Sequence, residues 1–145
     1  MPQFACFLSI SPLALAASIT LAGAAGSPRK PQALTVSPAS ADAQDYPDGR
    51  VPFTATGTFN SPPTPVSPLQ ASWGVAAEQD GNYGPTTAVS IDANGVAQCS
   101  AGASGVYAIG AWVQKNPGSP TCELVGVFGE PICNSVFGTA QITCP

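Results

Sequence analysis

Between Arg50 and Phe59 the chain alternates without a break. Val51, Phe53, Ala55, Gly57 and Phe59 fall on one side, and Thr54, Thr56 and Thr58 on the other. A period of two puts alternate side chains on opposite faces of a strand, and it does not match the 3.6-residue repeat of a helix. The same short-range alternation returns at Leu69–Val75, with Leu69, Ala71, Trp73 and Val75 on one face; Ala88–Asp92 and Val136–Cys144 read as further strands, and Val106–Val113 as an apolar one. Leu34–Ser37 and Val96–Cys99 add two shorter runs. Fifteen glycines and sixteen prolines punctuate these segments, and no stretch carries a convincing helical period. About seven strands at short spacing predict an all-β chain, and 145 residues suffice for one domain.

Pro38 stops the first run, and residues 39–49 read as a polar loop ending in the turn Pro47-Asp48-Gly49. Pro52 lacks an amide proton for a ladder, so the strand at 50–59 is expected at a sheet edge or with a late start. Residues 60–68 hold four prolines and read as an extended loop, and 76–87 as a polar connection. Ala93-Asn94-Gly95 is a turn, Ala101 to Gly105 a small-residue turn, and 114–134 a long loop with two cysteines.

The N-terminal segment has a different character. No charge occurs from Phe4 to Ala25, and the run closes on Ala22-Gly23-Ala24-Ala25, with an Ala-x-Ala cleavage pattern. Residues 1–26 are therefore expected to be a cleaved signal peptide. The alternative is a retained membrane anchor, since about 20 apolar residues can cross a bilayer and the first charges, Arg29 and Lys30, follow the run. No lipobox is present, so no lipid anchor is expected. Residues 27–33 read as a basic, Pro-containing linker, and 34–145 as the domain. The chain is expected in a secreted, periplasmic or cell-surface location.

Cysteine usage agrees with export. Cys6 would leave with the signal, and Cys99, Cys122, Cys133 and Cys144 remain. They form no Cys-x-x-Cys pair and there is no histidine, so two disulfides are expected rather than zinc. Spacing alone leaves three pairings open.

The lack of histidine also removes the commonest general base, and no phosphate-binding loop or nucleophile elbow is visible. The expectation is no enzyme, no cofactor and no metal. Asp42, Asp45 and Asp48, with Asp80-Gly81-Asn82 and Asp92-Ala93-Asn94-Gly95, resemble calcium donors in composition, but their spacing is not that of an EF-hand, and turn chemistry is the expected role. Four basic and eight acidic residues build no cationic field, so no nucleic-acid partner is expected.

One set of residues carries a family resemblance. Trp73 comes late in a strand, followed by Val89-Ser90-Ile91-Asp92 and Asn94-Gly95-Val96-Ala97. Then come Ala101-Gly102 and Gly105-Val106-Tyr107-Ala108-Ile109, and Leu34-Thr35-Val36-Ser37-Pro38 opens the domain. In this pattern the chain resembles the group 2 bacterial immunoglobulin-like domains of invasin- and intimin-type surface proteins. The resemblance spans about residues 32–113, with Gly138 to Thr143 as a last strand. It implies an immunoglobulin-like β-sandwich serving as a spacer or adhesion unit, and it supplies no fixed binding residues. Residues 114–135 depart from it as a cysteine-bearing insertion.

If the last two long strands form an antiparallel hairpin, Gly105 lies near Cys144 and Ala111 near Gly138. Cys99 then shares an end of the sandwich with Cys144, and Cys122 lies with Cys133 at the other, giving the expected bridges Cys99–Cys144 and Cys122–Cys133. The family pattern points Tyr107, Ile109, Ala111 and Val113 inward. Trp112 would then face outward with Phe137 across from it, unless the 114–135 loop folds over both rings. Trp73 is expected in the core.

Three functional classes follow. The first is an exported, non-catalytic module of cell-surface structure or adhesion that presents loops to a protein or surface. The second is a carbohydrate-binding module using Trp112 and Phe137 on a polysaccharide. The third is a secreted inhibitor inserting the 122–133 loop into a target.

Overall fold

A computed structural model describes residues 29–120 and 123–145. The signal-peptide segment lies outside these residues, as does Cys122 and with it the expected Cys122–Cys133 bridge. Cys133 is itself disulfide-bonded.

The described chain is all-β, built from short strands joined by turns and three 3-10 segments. In order these are β1 (Pro31–Ser37), β2 (Ser40–Asp42), β3 (Arg50–Pro52), β4 (Thr54–Phe59) and β5 (Pro65–Val66). Then follow β6 (Ser72–Gln79), β7 (Asn82–Pro85), β8 (Val89–Ile91), β9 (Val96–Cys99), β10 (Gly105–Gln114) and β11 (Ser135–Cys144). One layer is a five-stranded sheet of order β2-β11-β10-β6-β7. The opposite layer comprises β1-β4-β5 and β3-β9-β8.

The strand count exceeds the expected seven for identifiable reasons. β2 lies within the stretch read as a loop after Pro38, and pairs in parallel with β11 through Gln141↔Ser40 to Thr143↔Asp42. β5 lies inside the proline-rich stretch and pairs with β4. Both are too short for a period to register, and each exists only because a longer strand offers it a ladder. The strand expected at 69–75 instead runs from Ser72 to Gln79 and turns back into β7, where a polar connection was expected. The turn is the Asp80-Gly81 pair, with φ of 52° and 80°. Two left-handed central residues are what a two-residue hairpin turn matching strand twist requires.

Pro52 is at an edge as expected, on β3, an outer strand of the β3-β9-β8 sheet. It pairs with Val96 in the β3–β9 ladder, and at Phe53 the chain changes partner, so that β4 pairs with β1. The missing amide proton therefore falls beside a break in the ladder, while Phe53 donates its own N–H to the Gly95 carbonyl at 2.9 Å.

The core lies between the layers. Leu34, Val36, Val51, Phe53, Ala55, Val89 and Ala97 come from one layer, and Ile109, Ala111, Ala140, Ile142 and Cys144 from the other, all buried. Tyr107 and Val75 pack against them as partly buried neighbours. Trp73 is half-buried at the core's margin, standing against Gly95. A Cβ at Gly95 would lie 2.7 Å from the Trp73 ring, and the residue has φ +81°, so both space and backbone call for glycine.

Residues 29–33 are not a free linker. β1 begins at Pro31, and Asn60 and Lys30 exchange backbone and side-chain hydrogen bonds at 2.8 and 3.1 Å. Arg29 stacks on Phe59, 4.2 Å from the ring centroid, and donates to the Ser61 and Pro63 carbonyls. An exposed cation–π contact contributes about 0.5–1 kcal/mol. Here it also tethers the proline-rich loop, whose other end is held by Leu69 N–H to the Ala55 carbonyl and Thr56 Oγ1 to Ser67 Oγ, each 2.8 Å.

β10 and β11 form the expected hairpin, with Gly105 opposite Cys144 and Ala111 opposite Gly138. Cys99 and Cys144 are bridged, their Cα atoms 5.9 Å apart across a separation of 45 residues. A disulfide of this kind is compatible with an oxidising, extracytoplasmic environment. No helix among the described residues is long and apolar enough to cross a membrane. The double variant Cys99→Ala/Cys144→Ala is expected to lose about 2–4 kcal/mol of unfolding free energy in urea titration. Ile109→Ala, with the side chain fully buried, is expected to lose a similar amount, about 2–5 kcal/mol.

Candidate functional site

The β10–β11 register sets which side chains leave the sandwich. Tyr107, Ile109, Ala111 and Val113 alternate inward, so Ala108, Gly110 and Trp112 lie on the outer face of the five-stranded sheet. Trp112 stands directly opposite Phe137 on β11, and opposite Ser72 on β6. Directly opposed side chains on one face have Cβ atoms about 5 Å apart, close enough to act together. Phe137 is 58% exposed and Trp112 is half-buried.

The loop between these two strands does fold over the outer face, and Phe137 stays exposed beside it. Its base is closed by asparagines. Lys115 N–H donates to the Asn134 carbonyl at 2.8 Å, Asn116 N–H to Asn134 Oδ1 at 2.9 Å, and Asn134 Nδ2 to the Asn116 carbonyl at 3.1 Å. Asn134 is buried and its amide satisfied, so this end of the loop is pinned.

The loop's far end is a small closed turn. Val125 bridges Pro131, Gly126 N–H donates to the Glu130 carbonyl at 2.8 Å, and Ile132 N–H to the Leu124 carbonyl at 3.0 Å. The Glu130 side chain turns inward, 7% exposed, and accepts the Phe128 N–H at 3.0 Å. A buried carboxylate spent on a backbone amide orders the turn.

Phe128 beds this turn on the sheet. A Cβ on Gly110 would collide with the Phe128 ring, and one on Gly74 with the Phe128 backbone. Gly74 and Gly110 are cross-strand partners, so together they form a slot that only two adjacent glycines leave open. Ala76, next along the same face, is fully buried although strand alternation points it outward. Sequence reasoning missed Phe128. The available signal was a glycine at an outward position within each of two strands, since glycine inside a strand marks a close approach.

The consequence is a ridge of apolar side chains lifted off the sheet. Leu124 is 68% exposed, Val125 61%, Ile132 57% and Val127 42%. Beside it, a groove of about 430 Å³ runs between the loop and the sheet, walled by Tyr83, Val127 and Phe128 and floored by Ala108 and Thr139. A second depression of about 510 Å³ is lined by Trp112 together with Gln70, Ser72 and Gln114.

Two of the carboxylates weighed as calcium donors, Asp42 and Asp92, cap their own local backbone. Asp42 Oδ1 caps the following 3-10 turn by accepting from Gln44 N–H at 2.9 Å. Asp92 Oδ1 accepts from both Asn94 and Val96 N–H, each at 2.9 Å. Among the described residues no three His, Cys, Asp or Glu side chains converge on a common point. Comparison with protein-family models finds no match, and neither does comparison with curated proteins.

Gly110→Ala tests the slot. It is expected to unseat Phe128 and raise hydrogen exchange and protease cutting at residues 123–132, while exchange in β10 and β11 keeps its protection.

Proposed function

We propose that this is an exported, non-catalytic immunoglobulin-like module that acts by contact, holding the 115–134 loop out for a partner protein at the cell surface. The division of the first strand supports the immunoglobulin-like reading. β1 pairs antiparallel in one layer, and after Pro38 the chain crosses to run parallel with the last strand of the other. The resemblance in the strand–turn pattern from Val89 to Ile109 adds to it, and the Cys99–Cys144 bridge suits an oxidising, extracytoplasmic setting.

The exposed ridge carries the contact reading. Leu124, Val125, Val127 and Ile132 stand in solvent on a turn whose polar groups are spent internally and whose root is clamped by Asn116 and Asn134. Grouped exposed aliphatics mark an interaction surface, and a pre-ordered loop loses little entropy on binding. Branched aliphatic side chains complement apolar protein surface, whereas sugars call for flat rings and hydrogen-bonding groups. A protein partner follows from that chemistry.

The test is binding of the labelled, secreted protein to cells of the producing organism before and after protease treatment of their surface. Val125→Asp/Ile132→Asp, both at exposed positions, is expected to weaken binding about tenfold or more with an unchanged melting temperature. Protease treatment is expected to abolish it. Undiminished binding by the double variant, or to protease-treated cells, would falsify the reading.

A further inference from the structure

We propose that the depression between Trp112 and the Gln70–Ser72 segment is a binding site for a neutral glycan, continued across the sheet by Phe137. This site is separate from the aliphatic ridge, and its chemistry is different.

The order of groups across the strands carries the argument. Ser72 on β6, Trp112 on β10 and Phe137 on β11 are successive cross-strand neighbours on one face. A hydroxyl, an indole and a phenyl ring therefore form a row perpendicular to the strands, with two aromatic side chains adjacent. Gln70 and Gln114 stand beside the indole and line the same depression. Their amides offer donors and acceptors in fixed numbers. The Gln70 amide is only weakly engaged, donating to the Ala93 carbonyl at 3.5 Å. A pyranose has an apolar C–H face that stacks on an aromatic ring, and a rim of hydroxyls that both donate and accept. Rings flanked by amides and a hydroxyl match both features.

Charge selects the ligand class. No charged side chain lines the depression, and its volume of about 510 Å³ suits one or two sugar units. An anionic glycan would find no cation to pair with there, so the ligand is neutral. Phe137, 58% exposed, extends the platform beyond the depression. The ligand is therefore a chain rather than a single sugar.

The exposure of Phe137 is not for want of cover. The 115–134 loop leaves from the residues next to Phe137 and is long enough to lie over the ring. Instead it beds on the Gly74–Gly110 slot through Phe128 and leaves Phe137 in solvent. Phe137 alone would be an ordinary exposed apolar side chain, but it stands directly beside the half-buried Trp112 ring and extends it into a platform.

Affinity electrophoresis tests this with the secreted, disulfide-bonded protein. Gels are cast with a β-glucan, a mannan or a xylan as neutral polysaccharides, and with alginate as an anionic one. Retardation by at least one neutral polysaccharide and none by alginate is the expected result. Trp112→Ala is expected to weaken it about tenfold or more, as for a central aromatic anchor. Trp112 is half-buried, so Ser72→Glu serves as a second variant. It places a charge at an exposed position in the depression and is expected to abolish retardation at an unchanged melting temperature. The Val125→Asp/Ile132→Asp ridge variant is expected to be retarded like the parent, which separates this site from the protein contact. No retardation by any neutral polysaccharide overturns the proposal. So does equal retardation by alginate, or retardation that survives both Trp112→Ala and Ser72→Glu.

Discussion

The β10–β11 ladder, paired without a slip from Gly105↔Cys144 to Gln114↔Ser135, is the element on which the other features of the molecule depend. A slip of one residue would exchange the two faces of a strand. Ile109, Ala111, Ala140 and Ile142 would leave the core, and Trp112 and Phe137 would enter it. The same register delivers Cys144 to Cys99, so the covalent bridge and the hydrophobic seal are consequences of one alignment. β2 and β6 then add to the outer edges of this pair, and β1 closes over β11 from the opposite layer, with the Leu34 carbonyl pressed against Gly138.

The long insertion between these two strands is ordered by the same pair. Gln114 and Ser135 bring its ends together, the two asparagines tie them, and Gly110 with Gly74 receives Phe128. Loop closure is thus secured at both extremes, and the intervening aliphatics need not bury themselves to order the segment. That is the physical reason a chain with so few charges can present apolar side chains to solvent in a defined geometry. The loop and the aromatic row draw on different chemistry, aliphatic against aromatic and amide. One face of the sheet can therefore hold two kinds of contact without one competing for the other's residues.

Local signals made the all-β class legible. Period-two runs such as Val51 to Phe59 require strands, because only a strand sends alternate side chains to opposite faces, and turn residues such as Asn94-Gly95 marked where the runs end. The hairpin register agreed with what pairing the last two long runs antiparallel implied, with Gly105 opposite Cys144 and Ala111 opposite Gly138. From that register followed the Cys99–Cys144 bridge and the pairing of Trp112 with Phe137, while the outward side for Trp112 came from the family resemblance.

Tertiary structure alone decided the remainder. β2 and β5 have no pattern of their own and become strands because a neighbour offers unpaired backbone groups. Pro52 lies on an edge strand, as its missing amide proton calls for, but that the chain changes partner just after it was set by which strands flank it. Arg29 reads as linker charge until Phe59 and the carbonyls of Ser61 and Pro63, some thirty residues away in sequence, surround it. Phe128 likewise meets Gly74 and Gly110, both distant from it in sequence. Periodicity determines how a segment presents its own faces. What lies against those faces depends on contacts between distant segments, and that determined where the loop rests and which rings remain in water.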